Sequence, residues 1–294
     1  MKFPTFVKAT ASGAIIALCL SGAAQAGPFI LDLTDADDHG SATATANLSG
    51  WLYMQKVLEN LAPGVTNTNK LVVQLGATDG GGSFDAFDAA SSSFSKSSLP
   101  GAGWTWMNID GASDIEDFFD GTGVGPGLVT VADAGIIQLD SGFNVGGGIS
   151  GAEQTVLTTF AAAIDGFLGG GGALHSMAQG GTGQYGWLSA LLPALTFSTS
   201  GGSGLFLTPA GTAAFPGLTD ADLSAGPFHG NWTGGLGGLS LLFDDLAGTG
   251  GRVVGIGSSG GSVTNPGGPL PEPATLSLLG LGLMGIGLAR RRRR

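Results

Sequence analysis

The chain has 294 residues, 56 of them glycine, and 43% of its residues are hydrophobic. Disordered chains are usually poor in apolar residues, so this composition indicates a folded body with long glycine-rich loops. Between residues 27 and 270, four basic residues face 21 acidic ones, which gives this span a formal charge of −17 within a total of −11. Such a charge repels the phosphate backbone of nucleic acids, so we expect no nucleic-acid partner.

The N-terminus has the pattern of a secretory signal peptide. Two lysines precede a short apolar stretch that ends in small residues at Ala24-Gln25-Ala26. This order predicts a signal helix that signal peptidase removes after Ala26, and the apolar stretch is short for a permanent anchor. The only cysteine, Cys19, lies in the removed segment, so the mature chain would have no disulfide and no thiolate metal site.

The first part of the body alternates between strand and helix patterns. An apolar run at residues 29–33 predicts a strand, and apolar residues at helical spacing predict a helix over 48–61. A second apolar run, at residues 71–75, predicts a buried strand. The order strand, helix, strand is typical of a βαβ unit and favours a parallel sheet.

The acidic segment TDADDHG follows the first strand and partly imitates a calcium-binding loop. Asp35, Asp37 and His39 alternate along it, as the ligands of an EF-hand loop do, and Asp38 lies between them. The match is incomplete, because the fifth position is histidine and the twelfth is Ala46 instead of glutamate. Asp35, Asp37 and Asp38 are therefore candidate ligands of Ca²⁺, the one cofactor that the sequence suggests, and a solvated acidic loop is the alternative.

Three histidines, His39, His175 and His229, are the remaining residues that could bind a metal or act as a base. Together with the aspartates they could form a His/carboxylate metal site. No H-x-x-x-H or similar spacing supports such a site, so the sequence does not assign the histidines to a metal.

The clearest pattern of the body lies in its middle. Residues 135–139 predict a strand that ends at Asp140. Ser150 followed by Glu153 is the signature of a capping box, and a stripe of apolar residues predicts a helix over 151–168. A run of glycines ends this helix and leads into a further short strand.

This further strand, GALHSM, ends in His175-Ser176 and carries a family resemblance. The stretch resembles the class I glutamine amidotransferase-like fold, in particular its trehalose-utilisation branch, in which a helix, a glycine turn and a strand with a terminal His-Ser pair follow one another. The resemblance covers residues 135–258, where GRVVGIGS is similar to the terminal strand of that family.

The resemblance implies an α/β fold with a flavodoxin-like, mostly parallel sheet, helices on both faces and long Gly-rich loops. The N-terminal signal helix and a C-terminal transmembrane helix would be added to this body. The alternative is a mostly β, adhesin-like sandwich, which the Gly, Ser and Thr content would suit. The predicted helices at 48–61 and 151–168 argue against that alternative.

Amidotransferases hold a catalytic cysteine at the turn after this strand, and the mature chain has none. The candidate catalytic residues are therefore Ser176 as nucleophile, His229 as base and either Asp140 or Asp222 as the residue that orients the base. His175 is a poor direct base for Ser176, because adjacent side chains on a strand point to opposite faces. Nothing in the sequence brings Ser176, His229 and Asp140 together, so we expect a body without catalytic activity. A degenerate or serine-based hydrolase is the alternative.

Tryptophans could supply a surface on which sugar rings stack. Trp51 and Trp187 lie on predicted helix faces and are expected in the core. Trp104, Trp106 and Trp232 are the candidates for an exposed platform, and a polysaccharide is accordingly a candidate partner.

The C-terminus combines three features in a fixed order. The triplet Pro271, Glu272 and Pro273 precedes an uncharged apolar run at residues 274–289. The run is slightly short of the about 20 residues that span a bilayer core. The cluster that follows would hold the C-terminus in the cytoplasm, and it consists of Arg290, Arg291, Arg292, Arg293 and Arg294.

These three features resemble the PEP-CTERM sorting signal of Gram-negative bacteria, which a membrane protease called exosortase is thought to cleave near the Pro-Glu-Pro triplet. The resemblance implies export across the inner membrane, transient anchoring in the membrane through the C-terminal helix, and transfer to the cell envelope, the surface or the medium. It also implies a frequent link to exopolysaccharide or biofilm.

Together, these patterns predict a signal peptide at 1–26, an exported body at 27–262, a Gly/Pro linker at 263–270 and a sorting signal at 271–294. The expected function is that of a non-catalytic envelope or extracellular-matrix protein with signal peptidase and exosortase as processing partners. A calcium-dependent carbohydrate binder is a further alternative to the hydrolase.

Overall fold

A computed structural model describes most of the predicted body, in five segments: residues 27–78, 86–142, 147–178, 185–247 and 250–258. The predicted signal peptide, linker and sorting signal lie outside the described residues. Within the described segments, no helix combines the length and the apolar character that crossing a membrane requires.

The described residues form short strands and helices in alternation. The strands are β1 (Phe29–Asp32), β2 (Gly40–Ala42), β3 (Asn47–Ser49), β4 (Leu71–Leu75), β5 (Thr105–Ile109), β6 (Ile136–Leu139), β7 (Ala173–Ser176), β8 (Thr196–Ser198), β9 (Gly202–Ser203), β10 (Phe206–Leu207), β11 (Pro227–Phe228), β12 (Asn231–Gly234), β13 (Leu239–Asp244) and β14 (Val253–Ser258). The α-helices are α1 (Gly50–Leu61), α2 (Ala86–Ser95), α3 (Ala112–Asp120), α4 (Gly151–Thr159), α5 (Ala161–Gly169), α6 (Leu188–Leu191), α7 (Pro209–Ala214) and α8 (Asp220–Leu223).

Five parallel strands form the centre of the main sheet, in the order β5-β4-β6-β7-β1. The residues of β1, β4, β6 and β7 are nearly all buried and mostly apolar, as expected for parallel strands with helices on both faces, whereas the edge strand β5 is partly exposed. The strands β4 to β7 stand in the 2-1-3-4 order of flavodoxin-type sheets, with β1 in the position of the fifth strand. The predicted α/β class with a parallel central sheet is confirmed.

Antiparallel strands extend this sheet beyond β1. Strand β14 pairs with β1, β13 with β14, and β10 with β13. Strand β12 pairs with both β14 and β8. The sequence indicated the parallel strands but did not indicate how far the sheet continues, because several of these added strands have only two to four residues.

The helices lie on both faces of the central strands. Helix α1 lies over β1 and β7, where Tyr53 meets His175 edge to face, and it also contacts α2. The helices α3, α4 and α5 contact one another in sequence. Their connections run across the sheet in the opposite direction from those of α1 and α2, so right-handed crossovers place them on the other face.

The helix predicted over 151–168 is two helices. Helix α4 ends at Thr159 and α5 begins at Ala161, because Phe160 leaves helical geometry with φ −100° and ψ 20°. The ring of Phe160 stacks on Phe119 of α3, with ring centroids 5.9 Å apart. The break between α4 and α5 therefore occurs where Phe160 packs against α3, and the helical periodicity of the sequence does not predict it.

The predicted capping box at the start of α4 is present. Ser150 Oγ accepts a hydrogen bond from the backbone N–H of Glu153 at 3.4 Å, and Ser150 N–H donates to Glu153 Oε2 at 2.6 Å. Glu153 Oε1 also accepts from the backbone N–H of Gly111 at 2.8 Å. The cap thus joins α4 to the loop before α3.

We predict that Ser150→Ala lowers the free energy of unfolding by about 1 kcal/mol, since an N-cap hydroxyl is lost. Thermal or urea unfolding measures the change. The control is Thr155→Ala, on the exposed face of the same helix, where the hydroxyl donates to Gly151 O. We expect a smaller effect there, within about 0.5 kcal/mol. Equal losses in both variants would contradict the capping role.

Candidate functional site

Polar side chains collect where the central parallel strands end. Asp32 closes β1, Asp140 follows β6, and Ser176 closes β7. Open α/β sheets bind their ligands in the crevice beyond the carboxyl ends of the strands. A functional site is therefore expected at this carboxyl edge.

A row of four polar side chains, three of them buried and Asn108 half-buried, crosses the sheet below this edge. Asn108, Gln74, Gln138 and His175 are direct neighbours in register on four adjacent strands. Gln138 Nε2 lies 3.0 Å from His175 Nδ1, which can accept its hydrogen bond. The row is invisible to sequence analysis, because it exists only once the register of the four strands is known.

The row ends at the carboxylate of Asp32, which is completely buried. His175 Nε2 lies 3.2 Å and Tyr53 Oη 2.7 Å from Asp32 Oδ2. Thr34 donates from its N–H and its hydroxyl to Asp32 Oδ1, at 3.0 and 2.6 Å. With Nδ1 accepting from Gln138, the proton of neutral His175 is on Nε2 and points at Asp32. Burial, followed by the neighbouring Asp32 carboxylate, raises the pKa of Tyr53 well above its ordinary value, so Tyr53 remains a donor.

A second group of charged side chains lies in the acidic loop, residues 33–40, which follows β1. His229 Nε2 lies 2.8 Å and His39 Nε2 3.2 Å from the same atom, Asp35 Oδ2. Asp35 itself is buried, and each imidazole keeps 31% of its side-chain surface exposed. The hydrogen bond to Asp35 raises the pKa of His229.

Backbone contacts hold this group together. Thr34 and Phe228 form an isolated β-bridge, and His229 N–H donates to Leu33 O at 2.8 Å. On the other side of the loop, the Trp51 ring N–H donates to Asp37 O at 2.9 Å, and Gly50 N–H donates to His39 O at 3.0 Å. The convergence of the two histidines on Asp35 is thus set by the fold of the main chain.

Two glycines make this close packing sterically feasible. A Cβ atom at Gly50 would lie 2.2 Å from the carbonyl oxygen of Ala36. A Cβ atom at Gly226 would lie 2.5 Å from Cδ2 of His39. Real Cβ atoms do not approach so closely, so both positions require glycine for α1 and the segment before β11 to reach the acidic loop.

Asp37 turns away from the histidines and towards the end of β6. Ser141 Oγ donates to Asp37 Oδ1 at 2.9 Å, and Asp140 lies beside the same carboxylate. Burial and then the Asp37 carboxylate raise the pKa of Asp140 well above its ordinary value. Neither oxygen of Asp140 meets a donor among the described residues. Two adjacent buried carboxylates do not both ionise readily, so the neutral form of Asp140, which can donate to Asp37, fits this site.

The three candidate catalytic residues lie in three different surroundings. Ser176 is buried, and its carbonyl accepts from Tyr185 at 3.2 Å. His229 is bound to Asp35, and Asp140 lies beside Asp37. Within the described segments no hydrogen bond joins Ser176, His229 and Asp140, so a hydrolytic triad stays a prediction.

Two of the three candidate calcium ligands come together with a histidine. Asp35, Asp38 and His39 each offer a ligand atom, and these atoms all lie within 4.8 Å of one another. Asp37 faces Ser141 instead. The participation of His229 was not expected, since 194 positions separate it from Asp35 and no local pattern links them.

The burial of the tryptophans differs in part from the prediction made from the sequence. Trp51 and Trp187 are buried, as expected. Trp232, a candidate for an exposed surface, is 3% exposed, and its ring N–H donates to Val254 O. It is buried because β12 lies between β14 and β8. Trp104 and Trp106, at the edge strand β5, are half-buried.

Comparison with known proteins concerns the C-terminus. The family model described as the PEP-CTERM protein-sorting motif matches residues 269–294. This segment is a PEP-CTERM sorting motif. The prediction from Pro271, Glu272, Pro273 and the arginine cluster is confirmed, and the motif implies sorting by exosortase, with export and a transient membrane stage on the way to the cell envelope or surface.

No curated protein and no solved structure matches the chain. The amidotransferase-like resemblance of residues 135–258 therefore finds no support in a relative. The inferences about the body therefore rest on its structure and sequence and not on a relative.

We predict that Asp140→Asn stabilises the protein at about pH 8 in a buffer containing EDTA. A carboxyl group whose native pKa is raised contributes stability that is present at low pH and lost as the pH rises through the native pKa. The side-chain amide of the variant does not ionise, so the variant avoids this loss of stability. The melting temperature of the variant should exceed that of the wild type at about pH 8, and the difference should disappear below about pH 4.

Asp245→Asn is the matched control, with the opposite sign. Burial acts to raise the pKa of Asp245, but hydrogen bonds from the backbone and side chain of Arg252 outweigh it and hold the pKa below its usual value. Removing this charge should lower the melting temperature above about pH 4, and the difference should shrink as the pH falls below that value through the lowered native pKa. If Asp140→Asn also destabilised the protein at about pH 8, the raised pKa of Asp140 would be wrong.

Proposed function

We propose that this chain is a non-catalytic protein of the cell envelope or extracellular matrix, delivered there through its C-terminal sorting motif. The match of residues 269–294 to that motif is the observation that carries the proposal. The predicted signal peptide at 1–26 supports export at the other end of the chain. The acidic body is consistent with a soluble domain on the outer side of the membrane.

The surroundings of the candidate catalytic residues support a role without catalysis. A nucleophilic serine needs a base within hydrogen-bond reach and access to a substrate. Ser176 is 2% exposed, and its neighbour His175 points to the opposite face, where it bonds to Asp32 and Gln138. His229 bonds to Asp35 instead. Each imidazole therefore already has a carboxylate partner.

A polysaccharide is the partner that we propose for the exported body, because PEP-CTERM tags often accompany exopolysaccharide production. Trp104 and Trp106 support this proposal, since both residues are only half-buried, one just before and one within the edge strand β5. Aromatic rings of this kind can stack on sugar rings. The alternative of a calcium-dependent carbohydrate binder draws support from the closeness of Asp35 and Asp38.

The sorting step is tested by the intact mass of the protein released from a Gram-negative host that contains an exosortase, together with sequencing of both termini. We expect the released chain to begin at Gly27 and to end near Pro271 to Pro273. In the variant Glu272→Ala, with the flanking prolines retained, we expect the uncleaved tail and retention in the membrane fraction. Released wild-type protein that still contains residues 276–294 would contradict sorting by cleavage.

The absence of serine-hydrolase activity is tested with a fluorophosphonate probe on the wild type and on Ser176→Ala. We expect neither protein to be labelled under conditions that label a known serine hydrolase, because no base among the described residues is hydrogen-bonded to the Ser176 hydroxyl. Ser189→Ala, at an exposed serine of α6, is the control for surface labelling. Labelling of the wild type that only Ser176→Ala removes would overturn the non-catalytic proposal.

A further inference from the structure

Two histidines from distant parts of the chain present the same atom to one carboxylate oxygen. His39 Nε2 and His229 Nε2 lie 3.2 and 2.8 Å from Asp35 Oδ2. We propose that His39, His229, Asp35 and Asp38 form a binding site for a divalent transition metal of the Zn²⁺ class. Nothing in the sorting motif requires such a site, so the proposal stands apart from the proposed function.

The distances from the two imidazoles to Asp35 suit a tetrahedral metal, but His229 lies outside the group of ligand atoms that are mutually within 4.8 Å and would have to move to complete the set. Bonds of about 2.0–2.1 Å to nitrogen and oxygen place the ligand atoms of a tetrahedral zinc site about 3.3 Å apart. The distance between His39 Nε2 and Asp35 Oδ2 already has this value within 0.1 Å, and that from His229 needs to widen by about 0.5 Å. Asp38 offers the fourth ligand, because its oxygen lies within 4.8 Å of the ligand atoms of Asp35 and His39.

A small cavity lies beside this group and is an observation independent of the side-chain distances. It has a volume of about 10 Å³ and is lined by Asp35 and His39, with Tyr53 and Gly226 among the other residues of its wall. This volume holds about one water-sized sphere. Asp38 and His229 are not among its lining residues, so the space is not itself the metal position but gives Asp35 and His39 room to reorient around an ion.

The electrostatic surroundings favour a cation. Asp38 Oδ1 is buried and meets no donor in the part of the chain that the structure describes. Within the described residues, the charged groups close enough to influence Asp38 are Asp35, Asp37, His39 and His229. Those close enough to influence His229 are Asp35, Asp37 and Asp38. Asp140 adds a further buried carboxyl group next to Asp37. A divalent cation would neutralise this concentration of negative charge.

The donor set decides between classes of metal. Ca²⁺ and Mg²⁺ take oxygen ligands, whereas imidazole nitrogen is typical of zinc, copper, iron and nickel sites. Two imidazoles among four ligands therefore favour Zn²⁺ over the Ca²⁺ that the acidic loop alone suggests. The partial exposure of both imidazoles leaves a path by which the ion can enter.

The alternative arrangement has no metal, with both imidazoles donating a hydrogen bond to Asp35. Glutamine separates the two cases, because its amide can donate the same hydrogen bond but is a poor ligand for zinc. His39→Gln and His229→Gln should therefore fold like the wild type and still lose the metal. Circular dichroism verifies the fold of each variant before titration.

The experiment is a titration of the purified full chain, stripped with EDTA, with Zn²⁺ in competition with a chromophoric chelator. Co²⁺ is used in parallel, because the intensity of its visible absorption reports tetrahedral coordination. We expect one equivalent of Zn²⁺ per chain and a tetrahedral Co²⁺ spectrum. Each glutamine variant should weaken binding by more than about 100-fold, since the loss of an outer-shell partner alone costs about 10- to 100-fold.

Glu116→Gln is the matched control, because it removes an exposed acidic residue of α3 that lies in a cluster without histidine. Its zinc affinity should equal that of the wild type. The proposal is overturned if the two histidine variants bind Zn²⁺ as tightly as the wild type. It is equally overturned if Ca²⁺ competes with Zn²⁺ at comparable concentration, or if Glu116→Gln weakens binding as much as the histidine variants do.

Discussion

The carboxylate of Asp32 lies in the core of the protein and accepts hydrogen bonds from both donors of Thr34, from Tyr53 and from His175. A buried carboxylate without such partners would cost several kcal/mol. These partners belong to the acidic loop, to α1 and to β7, so satisfying one charge fixes how three parts of the structure meet. The acidic loop starts directly after this anchor, which is why its aspartates lie at the carboxyl edge of the sheet.

The amino edge and the carboxyl edge of the sheet carry different parts of the molecule. The chain enters the body at the start of β1 and leaves it at the end of β14, where Phe29 N–H donates to Ser258 Oγ at 3.1 Å. The predicted signal peptide and the sorting motif therefore join the body at the amino edge of β1. The cluster of Asp35, His39 and His229 lies at the opposite, carboxyl edge, where neither the signal peptide nor the sorting motif is attached.

Local patterns in the sequence were sufficient to predict several features of the structure. The capping box at Ser150, four of the five central strands and the sorting motif each depend on residues that are close in sequence, and each was predicted correctly. The break at Phe160 depends on packing against Phe119, and the burial of Trp232 depends on the pairing of β12. Neither leaves a periodic signal in the sequence.

Only part of the candidate site was predictable from the sequence, because the rest depends on contacts between distant segments. Asp35 and Asp38 were found because they alternate with other polar residues in one short loop. His229 reaches Asp35 through the β-bridge between Thr34 and Phe228, a contact between segments 194 positions apart. The row from Asn108 to His175 likewise needs the register of four strands. Long-range backbone pairing created both features, and no single segment encodes them.

The convergence of two histidines on Asp35 is the central claim of this account, and anomalous X-ray diffraction at the zinc edge tests it most directly. Crystals of the full chain grown with one equivalent of Zn²⁺ should show one anomalous peak, about 2.0–2.2 Å from His39 Nε2, His229 Nε2 and an oxygen of Asp35. A map with no peak there, in which both imidazoles remain hydrogen-bonded to Asp35, would contradict the metal site.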